Sequence, residues 1–313
     1  VFHLRLLVPA ELTGRILELL VSYPGVAHVT SVPGGAKLPA GDLVEADVVR
    51  EATDELIDEL IAIGLCDDGA ITGEDLVLVR SPEADRAEAE SPGQSADSVI
   101  WQQVEERSEG EAALSGTYLT FLTIAALLAG IGIVLNSPIT IVGAMVVGPE
   151  FGPLAALSVG LVRRRWSLVR GGALAIYAGF PIAMLITALL AALAVAAGLF
   201  GDRELDLSQQ TEFIYEVGPF SLIVALLAGA AGMLSMTSGK SAALVGVFIS
   251  VTTVPAAGYV SVAAVLGHWP QVGGAALQLA INLFGIVIAA VLTLVIVRRI
   301  DVYRAGRRGR RRA

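Results

Sequence analysis

A carboxylate stands where hydrocarbon is expected. Glu150 lies in the apolar run VVGPEFGPLAAL, residues 146–157, between the pairs Gly148-Pro149 and Gly152-Pro153. Proline removes a backbone donor and clashes with the preceding helical turn, and glycine loosens what remains. An ionisable side chain at mid-membrane costs at least ~2.5 kcal/mol on insertion scales. Together Pro149, Glu150, Gly152 and Pro153 mark a broken helix around a carboxyl group that can hold a cation or carry a proton. A second break is written in SVTTVPAAG, residues 250–258, where Thr252 and Thr253 bring hydroxyls beside Pro255. Asn136, Lys240 and Asn282 are further candidate polar groups in or at the ends of apolar runs. Each has a plainer alternative. Glu150 paired with Lys240 is a structural tie between helices, Pro255 is a kink, and Asn282 either ties helices or lines a path.

Other chemistry is poorly served. The apolar runs hold one carboxylate, no histidine and no cysteine, and their serines lack a base partner, so neither paired carboxylates nor a metal centre is expected. The chain is not expected to be an enzyme or to need a cofactor. A single cysteine, Cys66, excludes an intramolecular disulfide framework and a cysteine-rich zinc site. GMLSMTSGKS looks like a phosphate-binding loop but lacks its glycine spacing and a preceding strand.

The elements that must position these groups follow from composition. Of 313 residues, 55% are hydrophobic and 16% charged, which favours the membrane class. Residues 1–117 carry 23 acidic and 7 basic groups, whereas 118–313 carry 7 and 14. No charge occurs from Ala112 to Pro149, nor in 151–162, 171–201, 217–239 and 241–297. With about 20 apolar residues per crossing, six spans are predicted, at about 118–135, 139–162, 171–198, 219–236, 242–266 and 273–297. Four arginines in RRRWSLVR (163–170) and eight in the tail 298–313 face five acids in the loop 201–216. The positive-inside rule then places the head, the arginine loop and the tail in the cytoplasm of a multi-pass inner (plasma) membrane protein. The first residues are too short and too charged an apolar run for a signal peptide.

Residues 1–80 read as a cytoplasmic α+β domain of ferredoxin-like order βαββαβ. The predicted strands are FHLRLLV, VAHVTSV, LVEADVV and GEDLVLVR, the predicted helices 10–22 and 50–64, and PGGAKLPAGD is a turn-rich connection. Asp54, Glu55, Asp58, Glu59, Asp67 and Asp68 read as a solvated acidic face, and His3 and His28 as structural. A Pro/Ser/Ala/Glu-rich flexible linker, 81–98, leads to an interfacial helix, 99–116, with Trp101 at headgroup level.

Shifting the sequence by 103 residues produces ten identities over 136–186, among them Val142-Gly143 on Val245-Gly246 and Trp166 on Trp269. Roughly four or five are expected from so apolar a composition. Two three-span repeats, 117–200 and 219–297, flank the acidic external loop 201–218, so the second enters the membrane inverted. The fold class is thus a membrane all-α part with broken middle helices beside a small head. In inverted repeats, equivalent broken helices point to the binding site, and the offset sets Glu150 on Thr253. Small-residue faces such as LLAGAAGM serve close packing.

NSPITIVGAMVVGPEFGP, AGMLSMTSGKSAALVGV and VPAAG followed by LQLAINLFGI resemble a bacterial membrane-protein family catalogued as domain of unknown function 389, over roughly residues 115–297. The resemblance implies a polytopic membrane protein and no assigned function. The expected function is a secondary transporter or channel-like carrier of a small solute or ion, with the head sensing or gating. A non-transporting receptor or scaffold whose head binds a ligand or partner is the alternative. Expected partners are membrane lipid, the solute or ion, and further copies of the chain, with no nucleic acid.

Overall fold

The computed structural model describes residues 1–90, 99–201, 212–238 and 251–312. The chain divides into two compact units, Val1–Gln103 with Ile300–Ala313, and Val104–Arg299.

In the first unit, β1 (Phe2–Val8) alternates buried and less buried positions, as the period of FHLRLLV requires. Helix α1 (Ala10–Ser22) buries Ile16 and Leu20 on one face. It is followed by β2 (Val26–Lys37), β3 (Ala40–Val48), α2 (Arg50–Ala62), a short α3 (Leu65–Asp68) and β4 (Ala70–Asp75). The sheet order is β2-β3-β1-β4, and every pairing is antiparallel. Leu4, Leu6, Ile16, Leu20, Leu56 and Leu60 form the centre of its core.

Three local features differ from the sequence reading. The turn-rich stretch 33–42 is mostly strand, because Ala36↔Gly41 and Lys37↔Ala40 continue the β2–β3 ladder after an irregularity at Val32/Ala36. The fourth strand is Ala70–Asp75, not 73–80: pairing with β1 runs from Leu7↔Ala70 to Phe2↔Asp75, and Val77 and Leu78 are exposed. An apolar run attracted the prediction, but the ladder partner set the register. The expected linker opens with a helix, α4 (Pro82–Glu90), whose Ala87 belongs to the core. Residues 91–98 lie outside the described residues.

Helix α5 (Trp101–Glu111) begins in the first unit. Trp101 is buried rather than placed for a headgroup layer, and its backbone N–H donates to Asp54 Oδ1 at 2.9 Å. Gln102 Nε2 donates to Asp58 Oδ1 at 2.8 Å. The acidic face of α2 therefore caps a helix start, which an amphipathic pattern cannot reveal.

The second unit contains α6 (Gly116–Val134), α7 (Pro138–Val147), α8 (Phe151–Arg163), α9 (Trp166–Ala196), α10 (Glu212–Tyr215), α11 (Pro219–Thr237) and α12 (Thr253–Leu266). Helix α13 (Trp269–Arg312) continues into the first unit. Among the described residues four helices are long and apolar enough to cross a membrane: α6, α9, α11 and the Trp269–Ile300 part of α13. The pair α7 and α8, bent by 47°, makes a fifth if it counts as one span. These helices are compatible with a multi-pass membrane protein. The first part of the predicted fifth span, 242–250, lies outside the described residues, and α12, at 14 residues, is short of a crossing. Helices α6 and α12 cross closely: a Cβ built on Gly258 would lie 2.8 Å from Ala129 Cβ.

Candidate functional site

The break predicted at GPEFGP is present. Helix α7 closes with Gly148 N–H on Ala144 O, Pro149 withholds a donor, and α8 starts afresh at Phe151. Pro153 is the third residue of α8, in the first turn where a missing N–H goes unnoticed. Pro255 is likewise the third residue of α12. It marks a helix start rather than a mid-helix kink.

The two starts meet. Glu150 precedes α8 and makes no capping bond to it. Its side chain turns instead to α12, where Thr253 Oγ1 donates to Glu150 Oε1 at 2.6 Å. Glu150 is 4% exposed and Thr253 0%. Glu150 Oε2 has no hydrogen-bond partner among the described residues. Buried, hydrogen-bonded once and with one oxygen spare, this carboxyl can exchange a proton or accept one further donor or cation.

Thr252, next to Thr253, faces a different set of groups. Its Oγ1 accepts from Asn282 Nδ2 at 3.0 Å and from Gln278 Nε2 at 3.3 Å. Both amides project from α13 four residues apart, hence from one helix face, and both are buried. Thr252, Gln278 and Asn282 form the polar floor of a pocket of about 340 Å³ whose other walls include Met145, Phe220 and Ser221. Gln278 Oε1 has no partner among the described residues. The pocket is thus apolar in its walls and neutral-polar at its floor, one residue along the chain from the Glu150–Thr253 contact.

The other predicted residues separate. Asn136, with φ +48°, belongs to the turn between α6 and α7, where Ser137 caps α7 by accepting from Thr140 N–H. Pro149, Gly152 and Pro153 surround the break, and a Cβ on Gly152 would lie 2.8 Å from Glu111 Oε2, so α5 packs there. Lys240 lies outside the described residues. Gln278 and Ser221 were not predicted. The i, i+4 spacing of Gln278 and Asn282 inside an apolar run was the available signal for the first, and Ser221 carried none.

The arginine loop also has a partner. Glu105 on α5 pairs with Arg163 and, at 2.9 Å, with Arg165. In the first unit His3 Nδ1 and His28 Nδ1 each lie 2.7 Å from a different oxygen of Asp47. No cluster of His, Cys, Asp or Glu among the described residues is arranged to hold a metal ion.

A family model described as Domain of unknown function (DUF389) matches residues 145–288. Over that segment, a little under half of the chain, the sequence is similar to this family. The matched segment runs from Met145 on α7 to Ile288 on α13. It holds Glu150, Thr252, Thr253, Gln278 and Asn282, and leaves out the head, α5 and α6. No curated protein and no solved structure matches the chain.

Proposed function

We propose that this chain is a secondary transporter or channel-like carrier of a small solute or ion, built as an inverted pair of three-span repeats. The observation that carries the reading is the hydrogen bond between Glu150 and Thr253, residues 103 apart, at the starts of two short helices. Residues equivalent under a two-fold axis touch where they lie on that axis, and this pair was matched by the offset beforehand. Helix bounds support the repeat. Shifted by 103, Gly116–Val134 becomes 219–237, the bounds of α11, and the start of α9 at Trp166 becomes Trp269, the start of α13. The end of α8 at Arg163 becomes Leu266, the end of α12.

Six crossings, with head and tail cytoplasmic and the acidic loop outside, agree with the charge distribution. The β2-β3-β1-β4 order supports a ferredoxin-like head, which we assign to sensing or gating. Small-residue helix faces support a homo-oligomer in a lipid bilayer. The buried carboxyl favours a proton or small cation as the species moved or coupled. Broken backbone at membrane depth persists only inside protein or along a cavity, and the pocket beside Thr252 is such a cavity.

In vesicles reconstituted with the full chain, proton flux under imposed sodium or potassium gradients can be followed with an entrapped pH dye. Glu150→Gln and Thr253→Val are each expected to lower it by about tenfold or more. Unchanged flux in both variants would remove this site from the transport reading.

A further inference from the structure

Among the described residues that line the Thr252 pocket, none is charged. At about 340 Å³ the pocket belongs with those that hold whole small molecules, roughly 300–1,000 Å³, rather than bare ions. Its apolar walls come from α7 and α11, and Phe213 of α10 adds a ring. Two residues of the lining carry hydroxyls, Thr252 and Ser221, and both are partly exposed. Gln278 and Asn282, each 2% exposed, stand behind Thr252.

The two amides orient that hydroxyl. A hydroxyl accepts two hydrogen bonds and donates one. Both accepting positions of Thr252 Oγ1 are taken, by Asn282 Nδ2 and Gln278 Nε2, so its own proton is left to donate. Helix packing does not call for this arrangement. Under the 103-residue offset Thr252, Gln278 and Asn282 correspond to Pro149, Ala175 and Gly179. There the Tyr118 ring packs on bare backbone: a Cβ built on Gly179 would lie 2.7 Å from Tyr118 Cε1. Helices α6 and α9 thus pack together without either amide. Burying amides costs free energy that their hydrogen bonds only offset, so a pair kept at one of two equivalent places serves something other than packing.

We propose that the pocket binds a small uncharged molecule with an apolar body and a carbonyl-type acceptor. The acceptor takes the Thr252 proton, and Ser221 offers a second hydrogen bond. A charged ligand is disfavoured, because a buried charge without a partner costs far more than a hydrogen-bonded neutral group. An anion would meet no cationic side chain among the described lining, and the Glu150 carboxyl, bonded to Thr253, is not part of that lining. Consecutive residues at the start of α12 therefore serve two ligands. Thr253 holds the carboxyl that takes a proton or cation, and Thr252 holds the uncharged solute. One helix start cannot shift for the first without moving the second, which couples the two bindings. That the molecule is cargo rests on the carrier reading; that it binds does not.

Three probes of nearly one size separate the charge classes: benzamide is neutral, benzoate anionic and benzamidine cationic. The full chain carrying Cys66→Ser and Ser221→Cys, in lipid vesicles, is labelled with a soluble maleimide. Benzamide is expected to slow labelling at least about fivefold when in excess, and benzoate and benzamidine to leave it unchanged. Adding Thr252→Val is expected to raise the benzamide concentration needed by about tenfold, whereas Thr252→Ser, which keeps the hydroxyl, restores the parent's value. The comparison of probes needs no change at Thr252, so it decides even if Thr252→Val fails to fold. Equal protection by all three probes, or none by benzamide, overturns the proposal. Protection by benzamide that is indifferent to Thr252→Val in a protein labelled normally without probe also overturns it. If benzamide protects but Glu150→Gln and Thr253→Val leave flux unchanged, the binding site stands and the Glu150–Thr253 transport assignment falls. If those variants lower flux but benzamide gives no protection, the transport reading stands and the pocket assignment falls.

Discussion

Single polar side chains in this molecule are shared between elements. Glu150 and Thr253 join two helix starts, and Asp47 serves two imidazoles at once. Burial pushes the Asp47 carboxyl up, but the hydrogen bonds and charges of His3 and His28 outweigh it and hold the group below its ordinary 3.8. A carboxyl that binds its proton more weakly when folded stabilises the fold in full above its unfolded value. The contribution is lost as pH falls from there through the folded value. Asp47→Asn is expected to cost about 1 kcal/mol at neutral pH, since bonds to a charged partner are worth roughly 1.5–3 and partial exposure reduces that. The variant should also lose less stability than the parent between neutral pH and about pH 3. Amide hydrogen exchange of β1 and β3 in the full chain measures both. Parallel acid losses in the two proteins would show that Asp47 is not linked to head stability.

Among the helices, most prolines act as starters, whereas Pro181 lies inside α9. Pro138, Pro153, Pro219 and Pro255 all fall in first turns, where φ is already suitable and no donor is missed. Each of these helices therefore begins without leaving an unpaired amide at its proline. Helix α5 holds the other end of the break. Glu105 is 9% exposed and pairs with Arg163 and Arg165 where α8 ends. Removing one partner of a buried pair costs roughly 3–5 kcal/mol, and much less when the partner is exposed, as Arg165 is. Glu105→Gln is expected to destabilise the membrane unit by about 2 kcal/mol and to speed tryptic cleavage at the arginine loop. Thermal unfolding in detergent and a timed digest check the two effects, and unchanged values in both would reduce these ion pairs to surface contacts.

For the whole molecule, two units with separate cores imply that the membrane unit keeps its fold without the head. Deleting residues 1–98 preserves α5 and its hold on Arg163 and Arg165. Flux in vesicles is expected to persist, with any response to a cytoplasmic ligand abolished. Complete loss of the cellular phenotype, with the membrane unit folded and flux intact, would favour the receptor or scaffold alternative.

Local pattern was enough for whatever depends on local physics. The period of FHLRLLV and the amphipathic faces of 10–22 and 50–64 placed β1, α1 and α2 within a residue or two, because a side chain's face is fixed by its own backbone. Charge-free length located α6, α9, α11 and the apolar part of α13, and GPEFGP announced its own break. The 103-residue offset set Glu150 on Thr253, and the structure joins the two by a hydrogen bond. Only the tertiary structure decided matters of partnership: the register of β4, the burial of Trp101 against α2, the amides on Thr252 and the ring of Tyr118 against Gly179. A contact between distant segments depends on which surfaces close on each other, and no periodicity within either segment records the identity of the other.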